Sequence, residues 1–114
     1  MIVEDEPLIA MALEMLVQDE DGGVVVGPFA AVGPALKGLE GASRIDVAML
    51  DCNLGREPVW PVADALTARR IPFAFTSGHG VKDIPERFAS AEVLVKPVPD
   101  ERVRRFLRQF SPPA

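Results

Sequence analysis

Three short apolar runs in this chain each break off at groups suited to handling phosphate: Ile2-Val3 into Glu4-Asp5, Val47 to Leu50 into Asp51, and Val93 to Val95 into Lys96-Pro97. Such runs are far too short to span a membrane. Their unbroken apolar character fits strands buried on both faces. As neighbours in a parallel sheet, their carboxyl ends would gather three carboxylates and one ammonium in one crevice, where open α/β sheets bind ligands. Acids held so close repel one another, at about 4 kcal/mol for each contact near 4 Å and an effective dielectric of 20. The grouping therefore predicts a bound cation, and the charge left over after Lys96 points to a divalent metal serving phosphoryl chemistry.

The rest of the chain alternates between two periodicities. Pro7 suits a helix start, and Leu8, Met11, Ala12, Met15 and Leu16 recur at the spacing of one helical face, which predicts a first helix broken at Gly22-Gly23. Val24 to Val26 is a β-branched run of strand length. Val32, Ala35, Leu36 and Leu39 mark a second helix starting near Gly33-Pro34. Beyond the strand that ends at Asp51 comes the turn 53–58, in which Gly55 permits a positive-φ conformation. Val59, Val62, Ala63 and Leu66 give a third helix running to about Arg70, and Pro72 to Phe75 reads as a strand with Thr76, Ser77 and Gly78 at its end. A short helix over Ile84 to Ala89, a strand over Glu92 to Val95 and a last helix carrying Val103, Phe106, Leu107 and Phe110 complete the pattern. These apolar stripes are read as core.

Five strands alternating with five helices predict a single α/β domain with a parallel five-stranded sheet, helices on both faces and right-handed crossovers. Residues 1–110 form the domain and 111–114 a tail or linker stub. The brief first strand suggests that a few residues once preceded Met1. A net charge of −5 argues against a nucleic-acid surface, and the arginines at 102, 104, 105 and 108 form the one basic patch. No secretory signal or membrane segment is visible, and the single cysteine, Cys52, cannot form an internal disulfide, which fits a reducing cytoplasm.

Taken together, the Glu-Asp pair after strand one, Asp51 after strand three, a hydroxyl after strand four and Lys96-Pro97 after strand five resemble the receiver domain of bacterial two-component response regulators, along nearly the whole chain. The resemblance implies a (βα)5 flavodoxin-like fold of strand order 2-1-3-4-5. It makes Asp51 the phosphoacceptor, Asp5 a direct Mg²⁺ ligand, Glu4 a second metal group acting directly or through water, and the backbone carbonyl of Asn53 a further metal oxygen. Lys96 becomes the catalytic lysine, in a bond to Pro97 that is typically cis. Ser77 is the first choice for the switch hydroxyl and Thr76 the second, because the spacing from Pro72 reaches Ser77 and Gly78 then fills the small position after it.

The function so implied is a signalling switch. A sensor histidine kinase or histidine phosphotransfer protein would donate a phosphoryl group to Asp51 in a Mg²⁺-dependent reaction, and protein contacts would change. The chain would catalyse only its own phosphorylation and dephosphorylation, in the cytoplasm, without contacting nucleic acid or membrane. Three features depart from the family pattern. Val93 replaces the aromatic common three residues before the lysine, the turn after Asp51 lacks Met-Pro, and the stretch between Ser77 and Lys96 is compact enough to imply a shortened fourth helix. The alternative reading is therefore a constitutive binding module with a vestigial site, and a third is a Mg²⁺-dependent hydrolase, which lacks an evident general acid near Asp51. His79 reads as an exposed loop residue or a control on water access at the crevice, Trp60 as a packing residue whose fluorescence can report on metal, Cys52 as a packed thiol, and the last-helix arginines as dipole complements or a docking face for an acidic partner.

Overall fold

The computed structural model describes residues 1–20, 23–42, 44–82 and 84–110. Gly22 and the expected 111–114 tail lie outside them. Four parallel strands form the sheet: β1 (Ile2–Val3), β2 (Ala48–Asp51), β5 (Phe73–Ser77) and β6 (Glu92–Val95), in the order β1-β2-β5-β6. Between β2 and the next helix, β3 (Asn53–Leu54) and β4 (Glu57–Pro58) make a small antiparallel hairpin, with Gly55 at φ 64° in its turn. The helices are α1 (Pro7–Asp19), α2 (Val32–Gly41), α3 (Trp60–Ala68) and α4 (Asp100–Arg108).

Successive strand residues point to opposite faces, and the two faces carry separate cores. Val3, Leu50 and Phe75 pack with Ala35 and Leu39 of α2, Val62 and Leu66 of α3, and Phe88. On the other side, Ile2, Met49, Ala74 and Leu94 meet Leu13 and Leu16 of α1 and Val103, Phe106 and Leu107 of α4. This is the flavodoxin-like α/β architecture, with both faces of the sheet covered.

In three places the architecture departs from the periodicity. The expected second strand, Val24 to Val26, is not a regular strand; Val24 is 82% exposed. Its place outside β1 is nonetheless kept, because the Val26 carbonyl accepts from Ile2 N–H, Phe29 N–H donates to the Ile2 carbonyl, and Val3 and Phe29 form one parallel bridge. Pro28 has no N–H to continue the ladder. The expected helix over Ile84 to Ala89 shrinks to a 3-10 turn, Glu86–Phe88, since Pro85 disfavours helical backbone at Ile84.

The third departure is the core face of α1. Leu8, Met11 and Met15 were expected inside, yet they are 75%, 59% and 61% exposed, while Ala10, Leu13 and Leu16 are buried. The helix is apolar nearly all round, so periodicity could not choose its inner face. Three of the α4 arginines are held within the molecule: Arg102 pairs with Glu92, Arg104 with Asp19 at 3.5 Å, and Arg108 with Glu20 at 3.6 Å. Exposed pairs contribute little stability, but they leave less of the basic patch for a partner.

At Gly38 the ring of Phe29 lies against the backbone of α2, and a Cβ there would come within 2.2 to 2.9 Å of three ring atoms. Gly38→Ala would ordinarily stabilise a helix by about 0.5–1 kcal/mol. Here the displaced ring reverses the sign, and a lower urea midpoint is expected, by about 1–2 kcal/mol.

Candidate functional site

The carboxyl ends of β1, β2 and β6 converge. Glu4 and Asp51 are buried at 3% and 7% exposure, and Asp5 faces solvent. One carboxylate oxygen from each of Glu4, Asp5 and Asp51 lies within 4.8 Å of the other two. Lys96 Nζ sits 3.3 Å from Glu4 Oε1 and 3.2 Å from Asp51 Oδ1. All four charged groups named from the sequence thus share one crevice.

Backbone donors hold the acids in place. Glu6 N–H donates to Glu4 Oε2 at 3.1 Å, and Asn53 N–H to Asp51 Oδ1 at 3.4 Å. Glu4 Oε1, buried and ion-paired with Lys96, accepts no well-directed hydrogen bond. A buried carboxylate oxygen left in that condition, beside two more carboxylates, is the donor chemistry that a hard divalent cation takes. The residues present therefore fit the metal that the charge count called for.

Burial, then the hydrogen bond and charge of Asp51, push the Glu4 carboxyl up from 4.5 to about 7, although Glu6 N–H and Lys96 pull the other way. Burial by itself would lower the Lys96 ammonium, but Glu4 and Asp51 outweigh it and hold it above its ordinary value. In the metal-free chain the folded state binds a proton at Glu4 that the unfolded state has released. Stability without divalent ions is thus full below pH 4.5 and declines as pH rises toward 7, by on the order of 2 kcal/mol. Urea unfolding in chelator at pH 5 and pH 8 checks this, and added divalent cation should remove most of the difference.

Thr76 and Ser77 are both buried at the end of β5, on opposite faces of the strand. Thr76 lies in register with Asp51. Ser77 Oγ accepts the His79 N–H at 3.1 Å, and the Ser77 carbonyl accepts Lys96 N–H at 2.8 Å. The Lys96-Pro97 bond is cis, as is Gly27-Pro28. Cys52 is buried, and Trp60 packs edge-on against Phe75. One feature had no signal in the sequence: Glu57, at the end of the hairpin, accepts Val32 N–H at 3.3 Å, joining the loop after Asp51 to the start of α2.

No protein-family model and no curated protein matches this chain. Solved structures do. SdrG from Sphingomonas melonis Fr1 is 44% identical, with a TM-score of 0.81, over 96% of this chain and 92% of that one. The beryllofluoride-activated conformation of SdrG, from Pseudomonas melonis Fr1, is 42% identical with a TM-score of 0.76, covering 94% and 90%. The PhyR response regulator REC domain of Erythrobacter litoralis shares the fold at 24% identity and a TM-score of 0.77, covering 99% and 94%. This chain belongs to the response-regulator receiver family.

In this receiver the acidic crevice occupies the carboxyl edge of the sheet, framed by the loop after β1, the hairpin after β2 and the segments leaving β5 and β6. Among the described residues, no helix is long and apolar enough to cross a membrane.

Proposed function

We propose that this receiver is a phosphorylatable switch that accepts a phosphoryl group on Asp51 from a sensor histidine kinase or a histidine phosphotransfer protein. The observation that carries the proposal is the joint placement of Lys96 Nζ at 3.2 and 3.3 Å from Asp51 and Glu4, with Asp5 completing the carboxylate cluster. In the reaction an Asp51 oxygen attacks phosphorus in line with the donor's imidazole nitrogen. The P–N bond breaks, its electron pair stays on nitrogen, and that nitrogen takes a proton from solvent, leaving an acyl phosphate on Asp51.

Glu4, Asp5, Asp51 and the Asn53 carbonyl would hold Mg²⁺, which when bound supplies charge neutralisation for the incoming phosphoryl oxygens. The chain's own groups do the rest. Lys96 offers a fixed ammonium to a phosphoryl oxygen, and Ser77, or Thr76 in its stead, offers a hydroxyl. The turn 53–58 keeps Asp51 oriented through Asn53 N–H. On this reading the chain catalyses only its own phosphorylation and dephosphorylation. A location in the bacterial cytoplasm, beside such donors, goes with this reading.

The donor has a surface to rest on. α1 leaves the crevice directly after Glu6, and its outward residues Leu8, Met11 and Met15 form an exposed apolar stripe. Incubation with acetyl phosphate and Mg²⁺ should add one phosphoryl mass, which chelator prevents. Met11→Lys should slow transfer from a phosphorylated histidine protein about ten-fold or more while leaving acetyl phosphate labelling unchanged. A chain that takes up no phosphoryl group from either donor overturns the proposal.

Val93 favours a second reading, a constitutive binding module, because a valine has no aromatic ring to swing between two positions. Magnesium titration separates the two. A vestigial site would show no binding in the millimolar range.

A further inference from the structure

We propose, on the reading of the acidic crevice as a Mg²⁺ site, that Glu57 is its positioning residue. By holding the Val32 amide, Glu57 ties the loop after β2 to the segment beside β1 and so sets the spacing of the carboxylates around the ion.

Those carboxylates come from two separate loops. Glu4 and Asp5 follow β1, whereas Asp51 closes β2 and Asn53 comes just after it. The ladder between the two strands stops at the pair Val3 and Leu50. Beyond that pair, the distance between the loops has to be held by other bonds. On the β1 side, Glu4 N–H donates to the Phe29 carbonyl at 2.9 Å, and Val32 follows three residues later as the first residue of α2. On the β2 side, the hairpin pairs Asn53 with Pro58 and Leu54 with Glu57, and Leu54 is buried in the core. Glu57 Oε2 closes the gap by accepting Val32 N–H at 3.3 Å. The result is a closed circuit from Glu4 through Phe29 and Val32 to Glu57, and across the hairpin to Asn53 and Asp51.

The bond also meets a need of α2. Its N-cap is Ala31, which offers no side-chain acceptor, and its first turn carries no acid. A carboxylate from elsewhere in the chain therefore satisfies an orphan amide at the positive end of the helix. The hairpin held in this way reaches both acid loops. Gly55, at φ 64°, turns beside Asp5, so that a Cβ built on it would lie 3.9 Å from Asp5 Oδ2. Asn53 N–H reaches Asp51 Oδ1 at 3.4 Å. Glu57 itself is exposed and stands outside the carboxylate cluster, so it acts on the ion through the hairpin. Once the tie is cut, the turn can swing away from Asp5 and the like charges can spread apart, which weakens their joint hold on a cation.

Glu57→Ala removes the acceptor, and Mg²⁺ affinity, measured by calorimetry on the full chain, is expected to fall about five-fold or more. Glu57→Gln keeps an acceptor oxygen while losing the charge, and its affinity should stay within about two-fold of the parent. Val103→Ala, in the core on the other face of the sheet, also lowers stability but should leave Mg²⁺ affinity unchanged, which separates positioning from general loosening. Reciprocity gives a check in the parent chain, which decides the matter should Glu57→Ala fail to fold. A tie that favours the ion must be favoured by it, so saturating Mg²⁺ should slow hydrogen exchange at the Val32 amide by about the same five-fold factor.

Unchanged affinity in folded Glu57→Ala, an equal loss in Glu57→Gln or Val103→Ala, or a Val32 amide indifferent to Mg²⁺ overturns this inference alone. A parent chain that binds no Mg²⁺ in the millimolar range overturns the metal reading, and this inference falls with it.

Discussion

Asp51→Asn is expected to abolish phosphoryl uptake, by a factor of about a thousand or more, without weakening the fold. The substitution removes the nucleophilic oxygen and leaves a side chain of the same shape. It also removes one of three carboxylates that crowd within 4.8 Å. Glu4 loses the neighbour whose hydrogen bond and charge help push it up to about 7, while Lys96 keeps Glu4 as a partner at 3.3 Å. In chelator the variant should therefore be as stable as the parent or more stable by about 0.5–1 kcal/mol, the usual sign when a functional cluster of like charges is relieved. Phosphotransfer gels and urea unfolding on the same preparation check both halves. A variant that still accepts phosphate would remove Asp51 from its role, and one that unfolds would show Asp51 to be structural.

The largest effect on stability should come from Phe75→Ala. Phe75 is fully buried in β5 and meets the rings of Trp60, Phe73 and Phe88 at 5.3 to 5.6 Å. Truncating a buried phenylalanine costs about 3–5 kcal/mol, a large part of the 5–15 kcal/mol typical of a whole domain. Urea titration followed by far-ultraviolet circular dichroism should show the midpoint falling accordingly. Because Trp60 loses an edge-on neighbour, its emission should move to the red before global unfolding begins.

The strand ends were the most legible part of the sequence. Buried parallel strands are short, wholly apolar and end sharply, so Val47 to Leu50 before Asp51 and the run before Lys96 could be placed from residue types alone, and the site followed. Helices two, three and the last were equally plain, since Val32, Ala35 and Leu39, or Val103, Phe106 and Leu107, leave one face to bury. α1 was not. With apolar residues at 8–13 and 15–17, helical spacing is satisfied on more than one face, and only packing against β1 and α4 selects Ala10, Leu13 and Leu16. The valine run at 24–26 looked like a strand because β-branched composition says nothing of the partner ladder, which Gly27 and Pro28 interrupt. The Glu57 to Val32 bond was invisible, joining residues 25 apart in sequence with no motif between them.

The irregular segment beside β1 bears on how this protein behaves at high concentration. A regular strand in that place would present an unbroken row of outward amides and carbonyls, a template on which further chains can stack. Pro28 offers no amide, and one isolated parallel bridge joins Phe29 to Val3, so that flank lacks the regular ladder on which copies would stack. Restoring a continuous strand there, by replacing Gly27-Pro28 with β-formers, would be an unintended invitation to fibrils.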